Sequence, residues 1–241
     1  MRKLVLLSLT VLFAFTASAQ DLSNKGKEFW LVFPAHVPSG ASQAQMGLFL
    51  TSDKNSTGTI TVNGFSTTFT VTANQITGPI DIPYANANVT AAESNTVVNK
   101  GIHVKTDPGQ PAVVLFAHIY AGFRSEASLI LPKNTLSRKY YSMNFWNAPT
   151  GASRSQFQIV AAESGGTTVQ IQIVKNGVAS GTPFTITLPN EGDVYQYQPP
   201  ENNVDITGSY IESIPGPLGE CKKIAVFSGS SAVSISRLGC N

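Results

Sequence analysis

The sequence predicts an all-β protein: two tandem antiparallel β-sandwich modules related by internal duplication, behind a cleaved signal peptide. Three observations carry this. Short segments rich in Val, Ile, Thr, Phe and Tyr alternate apolar and polar residues with a period of two. Asn-Gly and Pro/Gly turns separate those segments. One loop, together with the strands around it, occurs twice. No segment after the leader sustains an apolar period of 3.6 residues, so helices are not expected to form the body.

The repeat fixes the order of elements. Pro38-Ser39-Gly40-Ala41-Ser42-Gln43-Ala44-Gln45 is echoed by Pro149-Thr150-Gly151-Ala152-Ser153-Arg154-Ser155-Gln156, 111 positions on. Upstream, Lys27 to Trp30 lies opposite Arg138 to Tyr141; downstream, Met46 to Leu50 lies opposite Phe157 to Ala161. Thr57 to Gly64 matches Thr168 to Gly177, and Phe69 to Thr72 matches Phe184 to Thr187. The closing apolar strands are Val113 to Ala117 and Lys223 to Phe227, with Phe116 and Phe227 again 111 apart. A repeat of this kind outranks other signals in setting a fold. Each copy, at roughly 105–110 residues, is long enough for its own core. Gly40 and Gly151 are expected to supply a backbone conformation closed to other residues, with Pro38 and Pro149 stiffening the approach. An architectural corner is the preferred reading of this loop over a ligand loop.

Taken in order, Met1 to Ala19 reads as the signal peptide. Arg2 and Lys3 start it, Leu4 to Phe15 is apolar, and Ala17-Ser18-Ala19 is a cleavage signal. That apolar run of about a dozen residues is short of the ~20 that span a bilayer, so cleavage before Gln20 is expected, with an uncleaved anchor the alternative. The protein is then exported, to the extracellular space or cell surface in preference to the periplasm, with no membrane insertion. Of 16 basic and 14 acidic residues, removal of Arg2 and Lys3 leaves 14 of each and no concentrated positive patch. Nucleic acid and anionic membranes are disfavoured as partners.

The first module is expected over residues 26–135. In its opening strand Phe29, Leu31 and Phe33 share one face and Trp30 and Val32 the other, which implies burial on both sides where the modules meet. Thr59-Ile60-Thr61-Val62 alternates strictly and runs into Asn63-Gly64, a hairpin signal. Tyr84 to Asn99 is a polar, weakly patterned connection, a kind that is usually functional or mobile. No flexible linker separates the modules, so they are expected to pack together. The second module, over 138–241, opens with Tyr141, Met143 and Phe145 on one face and Tyr140, Asn144 and Trp146 on the other. Val169 to Ile173 alternates and Asn176-Gly177 turns. The stop at Asn241, just after the strong strand Ala232 to Ile235, is expected to be the end of a fragment of a longer protein.

Two cysteines, Cys221 and Cys240, bracket the final hairpin. In an exported chain they are candidates for a disulfide, stabilising by ~3 kcal/mol in the chain-entropy model; pairing with a cysteine beyond Asn241 is the rival. His36, His103 and His118 never share zinc-ligand spacing, and no hydrolase elbow or phosphate-cradling loop is present, so no metal, cofactor or catalytic residue is assigned. Glu93, Glu126, Glu163 and Glu212 are the carboxylates from which a glycosidase pair would be drawn.

Gly26-Lys27-Glu28-Phe29-Trp30-Leu31-Val32-Phe33-Pro34, with Leu48 to Ser52, resembles the opening of the IgGFc-binding protein N-terminal domain. Lys100 to Val104, Val114 to Ala117, Ser155 to Ala161, Asp205 to Ser213 and Lys223 to Ser230 continue the resemblance. It implies a secreted or surface-exposed binding module of the kind found in bacterial adhesin-like proteins and in an animal mucin-associated protein that binds immunoglobulin Fc. The expected function is therefore non-enzymatic binding or adhesion toward an extracellular or host glycoprotein or glycan, immunoglobulin or mucin-like by resemblance. Alternatives are a glycan-active hydrolase or its accessory carbohydrate-binding domain, and a structural spacer. Trp146 and Tyr140 are the candidate contact aromatics, with core or intermodule packing the competing role.

Overall fold

The structure is a computed structural model and describes residues 23–37, 43–122, 124–145 and 151–233. The signal-peptide segment, Pro38, Gly40, Trp146, Pro149 and Cys240 lie outside the described residues. The body is all-β, built of antiparallel sheets.

In the first half the strands are β1 (Glu28–Leu31), β2 (Gln45–Thr51), β3 (Ser56–Val62), β4 (Phe65–Val71) and β5 (Ile76–Asp81). A one-turn helix α1 (Tyr84–Ala87) and a 3-10 turn (Ala91–Glu93) lead to β6 (Val97–Asn99), β7 (Ile102–Thr106), β8 (Val114–Ala121) and β9 (Arg124–Ile130). After a second 3-10 turn (Lys133–Thr135) follow β10 (Lys139–Tyr141), β11 (Ser155–Ala161) and β12 (Thr167–Gln172). The short hairpin β13 (Val174–Lys175) and β14 (Val178–Ala179) precedes β15 (Phe184–Leu188), β16 (Asp193–Tyr197), β17 (Tyr210–Ile214) and β18 (Ile224–Ser230).

Two sheets, in the orders β1-β7-β3-β4 and β5-β2-β8-β9, face each other across a first core. Phe29, Leu31, Ile60 and Val104 from one meet Leu48, Leu50, Leu115 and Ile119 from the other. A second pair, β10-β17-β12-β15 and β18-β11-β16-β6, encloses Phe157, Ile159, Val169, Ile171 and Ile211. The alternation explains both cores, since each strand sends every second side chain inward. Asn63 and Gly64 (φ 30° and 79°) turn β3 into β4, and Asn176 and Gly177 (φ 51° and 82°) turn β13 into β14, the backbone that the Asn-Gly pairs predict.

Strands β1 to β9 build the first pair of sheets and β10 to β18, the β13–β14 hairpin aside, the second, with one exception, β6. It leaves the first half and pairs antiparallel with β16, Val98 facing Val194. The polar connection Tyr84 to Asn99 is thus mostly ordered structure that clamps the halves together. Thr90 and Glu93 close a capping box, and Lys100 Nζ binds Glu93 and the Asn88 carbonyl at 2.8 and 2.7 Å.

Gly151 is a turn residue outside the left-handed region, and a Cβ there would meet only Asn202 Nδ2, at 3.7 Å. The special conformation expected of it is absent: an ordinary turn suffices at this corner.

Candidate functional site

The site grows out of the seam between the halves. β1 is buried on both faces: Phe29 and Leu31 enter the first core, while Trp30 and the following Val32 pack on Val160, Ala162, Val194 and Ala225 of the second half. These come from the outer faces of β11, β16 and β18. Trp30 stacks on His103 with ring centroids 4.3 Å apart and planes 8° from parallel. Gly192 (φ 86°) makes room, because a Cβ there would come within 2.9 Å of the Trp30 ring.

The rest of the outer face is glutamine. Gln156, Gln158, Gln196 and Gln198 are all buried. Ala35 N–H donates to Gln196 Oε1 at 2.9 Å, and Gln156 Nε2 donates back to the Ala35 carbonyl at 2.8 Å. Gln158 Nε2 donates to Gln196 Oε1 and Gln198 Nε2 to Gln156 Oε1, at 2.9 and 2.6 Å. Buried amides are tolerated here because most of their polar atoms are paired. In the sequence these residues alternate with Phe157, Ile159, Tyr195 and Tyr197 and so read as a solvent face; the first half takes the place of solvent.

Ion pairs close one end of the seam. Lys133 bridges Glu28 and Glu191, at 2.9 and 3.0 Å, and His103 Nε2 lies 3.0 Å from the same Glu28 oxygen. Burial lowers the His103 pKa from 6.5 and outweighs the pull of Glu28 and Glu191, so the ring is neutral near neutral pH and donates to the carboxylate.

Between β9 and β18 the seam opens into a cleft of about 300 Å³. Its wall is largely apolar, including Trp30, Val32, Leu129, Leu136, Tyr140 and Phe227; Glu126, Ser128, Gln156 and Gln158 supply polar groups. Glu126 lies on edge strand β9 opposite Ile119 of β8, close to Gly229, and lines the cleft with its side chain exposed to solvent. Among the described residues its carboxylate has no hydrogen bond or ion pair, and loss of water around it raises its pKa above 4.5. Such a carboxylate in an apolar cleft can donate a hydrogen bond when protonated or hold a cation when ionised.

Tyr140 lines this cleft, but its hydroxyl is engaged: it donates to the Ile224 carbonyl at 2.9 Å and accepts from Ser137 N–H at 2.7 Å. Its ring face is what remains for contact. The solvent-facing row is the opposite one, Tyr141, Met143 and Phe145, at 71, 78 and 58% exposure. The other carboxylates are occupied: Glu93 in its capping box, Glu163 by Lys223 N–H, and Glu212 by Lys139 and Tyr210. Cys221 is half-buried, and its candidate partner Cys240 falls outside the described residues. Among the described residues no group of three or more His, Cys, Asp and Glu is placed to hold a metal ion, and no helix is long and apolar enough to cross a membrane.

Fold and site together define an all-β, sandwich-like protein with a cleft between its halves. Residues 126–241 match the model of the family described as IgGFc binding protein. Most of the cleft wall, from Glu126 to Gly229, falls within the match; the resembling segments from Gly26 to Ser52 lie outside it. No curated protein and no solved structure matches the chain.

Proposed function

We propose that this chain is a non-enzymatic binding or adhesion module of an exported, surface-exposed protein, and that it takes a glycoprotein in the cleft between its halves. The observation that supports it most is Glu126: a carboxylate with no partner among the described residues, exposed at the wall of an apolar, aromatic-lined cleft and inside the matched residues. Apolar walls with a few convergent polar groups are the usual build of a ligand site. In the same reading the two sandwiches are duplicated modules, the leader is removed before Gln20, and Cys221 and Cys240 form a disulfide.

The test is a glycan and glycoprotein array, immunoglobulin and mucin included, probed with the wild-type chain, Glu126→Lys and Leu129→Ser. Binding lost in both variants, with unchanged circular dichroism, supports the cleft. Binding untouched by either removes it. A chromogenic glycoside panel runs alongside: turnover abolished by Glu126→Gln would establish the hydrolase alternative instead.

A further inference from the structure

The seam uses a face that the chain presents twice and covers once. Tyr141, Met143 and Phe145 stand 111 positions after Trp30, Val32 and Pro34. The ladders agree with that offset: Trp30 pairs with His103 and Tyr141 with Tyr210, while the next strands register Ile60 with Val104 and Ile171 with Ile211. Trp30 stacks on His103 and Tyr141 leans on Tyr210, with centroids 4.3 and 5.1 Å apart. In the first half this face lies beneath the second half. In the second half it is open, and a Tyr-Met-Phe row at 58–78% exposure is the composition of an interface centre.

The receiving surface is also present twice. Trp30 and Val32 are received by the outer faces of β11, β16 and β18, and in the first half β2, β5 and β8 stand in the corresponding order, the fourth strand joining at the opposite edge. Its outer face carries Phe49, Phe116, His118 and Tyr120, a file of rings with His118 centred 6.3 Å from Phe49 and 5.1 Å from Tyr120. Phe116 and Tyr120 are 41 and 38% exposed. One molecule therefore displays both partners of an interface whose worked example it contains.

We propose that the occupant is a second copy of this chain: the Tyr141–Met143–Phe145 face of one copy docks on the outer face of β2 and β8 in the next. Donor and acceptor are different surfaces, so the contact is head-to-tail and builds open chains rather than a closed two-fold dimer. It stands on a surface separate from the Glu126 cleft and does not depend on a ligand there.

Sedimentation velocity over a concentration series tests this with three forms of the full chain. Wild type is expected to form species that grow past the dimer with concentration. Met143→Lys blocks the donor face and Phe116→Lys/Tyr120→Lys the acceptor face; each alone is expected to sediment as a monomer. Their equal mixture is expected to give a heterodimer and nothing larger. Met143→Ala weakens the apparent dissociation constant about thirtyfold, as truncation of one central anchor does, while Met143→Leu keeps association. All these sites are exposed, and circular dichroism melts of the variants check the fold. A wild type that stays monomeric, a wild type that stops at the dimer, or a mixture that gives no heterodimer would each overturn the proposal.

Discussion

At the scale of single residues, Trp30 and Glu126 carry the account. Trp30 is 7% exposed and bridges the halves, so Trp30→Ala should cost about 3–5 kcal/mol, read from denaturant midpoints at unchanged slope. Its indole N–H is buried without a hydrogen-bond partner among the described residues, so Trp30→Phe should cost well under that. For Glu126 the sign runs one way. Its native pKa is raised, so its contribution is fully present below the ordinary value of 4.5 and is lost as pH rises through the native pKa. Glu126 is exposed and solvent screens this effect, so Glu126→Gln should be only slightly more stable than wild type at pH 7, with the gap closing below pH 4.5; urea titrations at several pH values check it. His103 acts at the other end: its pKa is lowered, so its stability is present above 6.5 and lost as pH falls through the native value.

At the scale of elements, the edge addition of β6 to β16 is the device that turns two sandwiches into one body. Val98→Pro removes a ladder donor and should loosen Asn95 to Asn99 together with their β16 partners, seen as faster amide exchange at Val194 to Gln196. The strands and both cores were legible because strict alternation in Ile60, Val62, Val169 and Ile171 leaves one choice of inward face. The two-sided burial of β1 was legible too, since Trp30 and Val32 are apolar where a free outer face would be polar. β6 was not legible: Asn95-Thr96-Val97-Val98-Asn99 is short, and its partner lies nearly a hundred residues away. Which face of β10 turns outward was not legible: Tyr140 was a contact candidate with core packing as its competing role, and the exposed row is Tyr141, Met143 and Phe145. Apolar residues on both faces of β10 gave no local means of choosing, and the side that Phe29 takes in β1 decides it. The seam glutamines were missed for the opposite reason, being polar residues on a face that only tertiary packing buries. Nor could the cleft carboxylate be picked from four glutamates, because what distinguishes Glu126 is that it has no partner among the described residues.

For the whole molecule, the duplicated face and the single covered seam imply that the halves unfold as one unit although each has its own core. The closing strands show how far the copies have drifted. Phe49 faces Phe116, whereas Val160, 111 positions after Phe49, faces Ala225, 109 after Phe116. A two-residue slip of this kind keeps the inward face inward, because the side-chain period is two. Between the unequal edges of β9 and β18 the cleft is left open. The measurement that bears most directly on all of this is native-state amide exchange along a denaturant series, comparing β3 in the first core with β12 in the second. The account predicts that their slowest amides converge on one global unfolding free energy in wild type and separate in Trp30→Ala. Two distinct limits in the wild-type chain would contradict it, and the seam would then be a contact without energetic weight.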